Sequence, residues 1–530
     1  MNQTIVVVGG GAMGAGIAAV AAGAGFDVAL IEPDADAHAR IAALLAKNAE
    51  RAGDPSVATR VTVMTALPAS IDAGLVIEAA PERLDVKRDI FARLASALPD
   101  TALLATNTSS LSVDEIAAEV PLPQRVLGLH FFNPPVVMNL VEIVRAASTG
   151  DAEIELARAY VERFGKTAVI AADTPGFIVN RIARPFYLQA LAALQLDVAP
   201  IEDLDALARG AGFRMGPFEL MDLIGLDVNL ATSESIYERT GAARLAPSGL
   251  QREMVADGRL GRKSGAGFYE YPSPEGEPDR GGSSEPIDAD VNADEVVVLT
   301  GFGSLGDEMN ELLSQRFERV SRIENDDDIA SVSPATTIAI DVGDGTSDRL
   351  TAILELDGAL PREAAIFVDA YVTDVHACLA RMQHPERLIG YGILGALERQ
   401  RIVEIVDTES VSDDALALAE EVFGAMGVQT SLVENQPGLF LGRLVGSIVN
   451  EAVIAVEEGV ASVDDVDAAM RLGVNYPIGP LAWGREIGGA RIARILRAVA
   501  KKYGDEYGPH RALWILDIDE ERVPEELADA

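Results

Sequence analysis

The apolar positions come first as short runs and later as helical stripes. Thr4–Val8 is a continuous apolar strand pattern, and the glycine-rich turn Gly9-Gly10-Gly11-Ala12-Met13-Gly14 follows it directly. A second run, Val28-Ala29-Leu30-Ile31, ends at Glu32, and further runs follow at 61–64, 75–77, 102–105 and 126–129. Helical patterns separate several of these runs. Short apolar strands alternating with helices predict a mostly parallel sheet covered on both faces. From about Pro175 to Ala231 the strand runs stop and amphipathic helical patterns take over. Residues 271–295 are rich in Pro, Gly, Ser and acid, a composition that cannot bury a core and reads as a linker.

Beyond the linker the pattern repeats. IVEIV at 402–406 echoes LVEIV at 140–144, QPGLFLGR at 436–443 echoes TPGFIVNR at 174–181, and YPIGPLAW at 476–483 echoes FRMGPFEL at 213–220. The offsets are 262, 262 and 263 residues, which points to a tandem duplication. The expected architecture is α/β: a Rossmann-type doubly wound sheet plus an all-α C-terminal domain, tandemly duplicated, with a degenerate second copy. The expected boundaries are 1–175 for the first sheet domain, 176–270 for the first helical domain, 271–295 for the linker, 296–435 for a degenerate Rossmann-like domain and 436–530 for a second helical domain.

Composition narrows the chemistry. Lys and Arg total 43 against 83 Asp and Glu, a net charge of −40, which argues against nucleic acid or an anionic membrane surface as partner. Cys378 is the only cysteine, so a cysteine metal cluster and intrachain disulfides are excluded, and five scattered histidines make no multi-histidine metal site. No apolar run suggests a membrane span, and Met1 leads straight into the first strand with no secretion signal, so a reducing cytoplasm is expected.

The turn Gly9-x-Gly11-x-x-Gly14 follows a strand, opens a helix and lies 18 residues before Glu32. In that context Gly9 makes the tight turn, Gly11 lets the backbone approach a pyrophosphate and Gly14 allows close helix–strand packing. The helix N-terminus attracts an anion despite the acidic chain. Glu32 would accept both ribose hydroxyls and repel a 2′-phosphate, which favours NAD over NADP. Gly9, Gly11, Met13, Gly14 and Glu32 are therefore the candidate cofactor residues. An ordinary glycine-rich turn is the alternative.

Three further stretches stand out: NTSSLS at 107–112, GLHFFNPPVVMNLVEIV at 128–144 and TPGFIVNR at 174–181. With the glycine turn, these residues resemble the 3-hydroxyacyl-CoA dehydrogenase family, including its 3-hydroxybutyryl-CoA members. The resemblance runs to GRKSGAGFYEY at 261–271. The duplicated layout and RLGVNYPIGPLAWG at 471–484 resemble the long bacterial subgroup linked to 3-hydroxyadipyl-CoA oxidation in phenylacetate breakdown. The resemblance implies NAD-dependent, reversible oxidation of an (S)-3-hydroxyacyl-CoA to the 3-oxoacyl-CoA. Related oxidation of a non-CoA hydroxy or sugar acid, or a non-catalytic nucleotide-binding protein, are the competing readings.

On chemical grounds, His130 can serve as the base that takes the hydroxyl proton, and the resemblance implies that Glu142 pairs with it. The hydroxyl of Ser109 would hold the substrate oxygen, and Asn180 the reacting end of the substrate. Each has a plainer alternative: a satisfied core histidine, a surface carboxylate, a helix cap in which Ser110 and Ser112 compete with Ser109, and a polar residue inside a helix. The resemblance also places Glu82, Lys87, Asn107 and Lys263 near NAD. Arg40, Lys47 and Arg51 share a helical face that reads equally as a CoA clamp or a solvated stripe. Arg214 stands where this motif usually carries proline, and could meet the far carboxylate of a dicarboxylic acyl chain; a solvated arginine is the plainer reading.

In the second copy, Ser109, His130 and Asn180 become Tyr371, Gly392 and Gly442, while Glu142 keeps its counterpart in Glu404. Gly301-x-Gly303-x-x-Gly306 survives, with Glu324 placed like Glu32, but Asp307 and Glu308 would sit at the helix start and repel a pyrophosphate. The second copy is expected to keep the fold without cofactor or chemistry. It would replace a partner subunit in an intrachain pseudo-dimer, with further homo-oligomerisation left open; a vestigial or regulatory nucleotide module is the alternative.

Overall fold

A computed structural model describes residues 3–272, 294–301, 304–323, 326–343, 349–397 and 399–517. Most of the expected linker, together with Gly303 and Glu324, lies outside the described residues.

The first sheet has eight strands: β1 (Thr4–Val8), β2 (Asp27–Ile31), β3 (Val61–Met64), β4 (Leu75–Glu78), β5 (Leu103–Thr106), β6 (Val126–Phe131), β7 (Leu140–Arg145) and β8 (Thr167–Ala172). Their order is β3-β2-β1-β4-β5-β6-β7-β8. All neighbours run parallel except β6 and β7, which are antiparallel. The helix Ala12–Gly23 is built of Ala and Gly on most faces, so it can lie close to the sheet, and eight of its residues are buried.

The second sheet has seven strands: β9 (Val296–Thr300), β10 (Arg319–Ile323), β11 (Ile338–Asp341), β12 (Ala365–Asp369), β13 (Leu388–Gly392), β14 (Ile402–Asp407) and β15 (Gln429–Glu434). The order β10-β9-β11-β12-β13-β14-β15 repeats the first sheet, including its single antiparallel pair. Among the described residues the second sheet has no counterpart of the outer strand β3. From Ile31 to Leu75 the first copy holds the helix His38–Ala52, the short helix Val57–Arg60 and β3; the matching stretch from Ile323 to Ile338 is 29 residues shorter.

The chain divides into two compact units, and these cut across the two copies. One contains residues 1–182, 238–240 and 455–479; the other contains 183–237, 241–454 and 480–530. Each unit therefore joins one sheet to helices of the other copy. In the first, the Ala172 N–H donates to the Val460 carbonyl at 2.8 Å; in the second, the Glu434 N–H donates to the Val198 carbonyl at 2.8 Å. These two bonds are related by the same 262-residue offset as the sequence repeat. Among the described residues no helix is long and apolar enough to cross a membrane.

Candidate active site

The antiparallel turn of β6 into β7 pairs His130 directly with Glu142. Directly opposed residues put their side chains on the same face. His130 Nδ1 lies 2.6 Å from Glu142 Oε2, and the other carboxylate oxygen accepts from the Ile178 and Val179 N–H groups at 3.1 and 3.0 Å. Gly176 and Phe177 both have positive φ, at 80° and 49°, and this sharp turn aims the two amides at the carboxylate. Glu142 is fully buried, and His130 keeps 6% of its surface exposed. The rings of Phe132 and Phe177 stand 4.7 and 5.7 Å from the imidazole. A carboxylate on Nδ1 fixes the tautomer that leaves Nε2 as the basic nitrogen. Nε2 makes no hydrogen bond among the described residues.

Asn180 follows Val179 immediately and is half-buried on the short helix Val179–Ile182. Asn107 Oδ1 accepts from the Phe131 N–H at 2.8 Å, which ties the loop after β5 to the strand end carrying His130. The serines divide their work. Ser112, not Ser109, caps the helix Val113–Ala117, and the Ser110 hydroxyl donates to Glu82 at 2.9 Å. Ser109 gives only its backbone N–H to Glu82, at 3.1 Å, so its hydroxyl is exposed and unbonded among the described residues.

The crevice fits a dinucleotide. A Cβ at Gly14 would lie 1.9 Å from the Gly9 carbonyl oxygen, and one at Gly9 (φ 104°) would lie 2.5 Å from that of Ala79, so both positions exclude a side chain. A Cβ at Gly11 would meet nothing within 4 Å, which leaves the turn open to an approaching ligand. No side chain caps the following helix, and its first turn carries no acid. Met13 is half-buried against the core of the first sheet. Glu32 is half-buried at the end of β2, where it accepts from the Gly10 and Asp34 N–H groups at 2.9 and 3.1 Å. Gly9 and Glu32 border a cavity of about 890 Å³ that runs on past Pro33, Leu67 and Ile90.

Lys87 is placed differently from a direct cofactor contact. It is 1% exposed, and its ammonium lies 2.8 and 3.0 Å from the two Glu78 oxygens and 3.2 Å from Glu82. Burial opposes ionisation of Glu82, but Lys87 and the hydroxyls of Thr108 and Ser110 outweigh it and hold the carboxyl below its usual range. Glu78 was missed in the sequence. The repeat carried the signal: Asp341 also ends its strand and meets Arg349 in a buried pair at 2.5 Å. Lys263 belongs to the other compact unit and pairs there with Asp227. Arg40, Lys47, Arg51 and Arg214 are all exposed.

In the second copy the matching positions are packed differently. A Cβ at Gly392 would lie 2.7 Å from the Tyr371 ring, and one at Gly442 would lie 3.0 Å from it. One phenol thus fills the space of an imidazole and an amide. Its hydroxyl donates to Glu404 Oε2 at 2.5 Å, while Glu404 Oε1 accepts from the Phe440 N–H at 2.7 Å. Tyr371 is 1% exposed. Arg491 pairs with Asp369 at 2.6 Å beside it. Asp307 is paired with Arg322, and Glu308 accepts from the Leu397 N–H at 3.1 Å; they are the fourth and fifth residues of the helix Ser304–Ser314.

A doubly wound sheet with an open glycine turn at one strand end and a histidine–carboxylate pair at another defines a dinucleotide-dependent dehydrogenase. The 3-hydroxyacyl-CoA dehydrogenase NAD binding domain matches residues 4–174, and the family's C-terminal domain matches twice, over 176–271 and 438–522. The chain belongs to the 3-hydroxyacyl-CoA dehydrogenase family. It is 37% identical to the 3-hydroxyadipyl-CoA dehydrogenase of Escherichia coli K12 over 520 residues, covering 95% of both chains. It is 41% identical to a 3-hydroxybutyryl-CoA dehydrogenase of Mycobacterium tuberculosis, a match that covers 51% of this chain and 98% of that one. The crystal structure of an Escherichia coli 3-hydroxybutyryl-CoA dehydrogenase superposes with a TM-score of 0.76 at 35% identity, covering 98% of this chain and 99% of the other.

Proposed function

We propose that the chain oxidises an (S)-3-hydroxyacyl-CoA reversibly to the 3-oxoacyl-CoA, with His130 as general base. The observation that carries this reading is the His130–Glu142 pair, anchored by two backbone amides at the end of the sheet. Bound NAD would supply the hydride acceptor. His130 Nε2 takes the hydroxyl proton, and Glu142 stabilises the imidazolium that results. The exposed Ser109 hydroxyl and Asn180 hold the substrate oxygen and the reacting end. Glu32, Gly9, Gly11, Met13 and Gly14 form the dinucleotide seat. Lys87, Glu82 and Asn107 shape the loop that carries Ser109.

The second copy acts as a built-in partner rather than a second enzyme. Reciprocal exchange of segments between the two halves supports an intrachain pseudo-dimer. The test is turnover: acetoacetyl-CoA should be reduced with NADH, and the ratio of kcat/KM for 3-hydroxybutyryl-CoA and 3-hydroxyadipyl-CoA assigns the chain length. No turnover of either CoA ester would overturn the assignment.

A further inference from the structure

A helix of the second copy backs the catalytic wall of the first. It spans Val463–Gly473 and ends against the strand and turn that hold Glu142. A Cβ at Gly473 would lie 2.9 Å from Leu140, 3.0 Å from Val179 and 3.5 Å from Phe132. Each of these residues touches the dyad's geometry. Leu140 opens β7 two residues before Glu142. Val179 gives its N–H to Glu142 and precedes Asn180. The Phe132 ring stands 4.7 Å from that of His130. Two further ties hold the same segment. The Val460 carbonyl accepts from Ala172 at 2.8 Å. Glu458 pairs at 2.7 Å with Arg181, which is buried next to Asn180 in the chain.

We propose that Gly473 and Glu458 are positioning residues for the reaction of the first half. The second copy, without chemistry of its own, sets the alignment of His130, Glu142 and Asn180. This rests on the reading of His130 and Glu142 as the catalytic pair. Close packing makes the coupling direct: a side chain at Gly473 must push Val179, whose N–H bonds Glu142, or Leu140, two residues before Glu142 on β7. The molecule also supplies its own control. Gly210, 263 residues earlier, packs in the same way on the second sheet, where a Cβ would lie 2.7 Å from Ile402. The site behind that contact is filled by Tyr371.

The experiment compares Gly473→Val, Gly473→Ala, Glu458→Gln and Gly210→Val in the full chain. Readouts are kcat and its pH profile for acetoacetyl-CoA reduction, the Kd for NAD and the thermal midpoint. Gly473→Val should lower kcat about 10- to 100-fold, since small misplacements of reacting groups cost that much, and should leave the Kd for NAD unchanged. The pH limb that reports His130 should shift, and Gly473→Ala should recover most of the rate. Gly210→Val should lower the midpoint comparably with kcat intact. Should Gly473→Val fail to fold, Glu458→Gln carries the test through the same split of kcat from NAD binding. Unchanged kcat and pH profile in the Gly473 and Glu458 variants would overturn the proposal, as would an equal loss of kcat in Gly210→Val. Full activity in His130→Ala would instead bring down the catalytic pair beneath it.

Discussion

In the first half Glu142 holds an imidazole; in the second, Glu404 holds a phenol. Both carboxylates are fully buried, both lie at the same register of an antiparallel strand pair, and both are anchored by amides from the same positive-φ turn. The difference lies in what stands opposite. With Ser109, His130 and Asn180 the crevice keeps an unbonded basic nitrogen and an exposed hydroxyl. With Tyr371, Gly392 and Gly442 one ring fills that space. The buried carboxylate therefore serves the fold first, because its amide partners would otherwise be unsatisfied. In the proposed reading, catalysis is added by the neighbours. The buried pairs Glu78–Lys87 and Asp341–Arg349 likewise persist in both halves.

The largest break in this comparison is expected at His130. Replacing it by alanine should cost about 10²- to 10⁴-fold in kcat, the usual contribution of a general base, with NAD still bound. Steady-state kinetics beside calorimetric titration would separate the two. The same titration should count one NAD per chain, because among the described residues the second sheet has no counterpart of β3 and Tyr371 fills the space that His130 and Asn180 occupy in the first half. A count of two would erase the asymmetry between the halves.

Lys87→Met and Arg349→Met come next. Each removes a buried cation and strands a buried carboxylate, a loss of about 3–5 kcal/mol in stability. Denaturant unfolding should show similar losses for both. Only Lys87→Met should also raise the KM for substrate, because Lys87 holds Glu82 and Glu82 holds the Ser109 loop. Equal kinetic effects from the two variants would contradict a single working site.

Much of this was legible in the sequence. Strand runs and glycine spacing marked the dinucleotide turn and every strand of the first sheet but β8, and the repeat offset revealed the duplication. The His130–Glu142 pair followed from motif resemblance, but its geometry did not: apolar periodicity gives no strand direction, and only the antiparallel β6–β7 pair sets the two side chains opposite each other. The resemblance placed Lys87 near NAD; its burial against Glu78 was not legible, because nothing in its local pattern marks it. The exchange of helices between halves was invisible for a similar reason. An amphipathic stripe records that a face is covered, not by which copy.

Smaller effects test the filled site itself. Tyr371→Phe leaves the ring and removes the hydroxyl that donates to Glu404. A buried acceptor losing its donor costs about 1–3 kcal/mol. The thermal midpoint should fall while kcat stays at the wild-type value. A change in kcat would mean that the second crevice takes part in turnover.

The finest discrimination is in pH. Burial pushes the Glu404 carboxyl from 4.5 up to about 7, against the hydroxyl of Tyr371 and the amides of Phe440 and Leu441. A carboxyl raised in the folded state binds its proton more tightly there than in the unfolded chain. Its contribution to stability is therefore complete below about pH 4.5 and is lost as pH rises through about 7. Asp205, raised by burial from 3.8 to about 7, acts with the same sign. Urea midpoints measured across that interval should decline with rising pH, and Glu404→Gln should flatten part of the decline, Asp205→Asn another part. An unaltered slope in Glu404→Gln would mean that the second carboxylate is ionised throughout, and that the phenol opposite it meets a charge rather than a neutral acid.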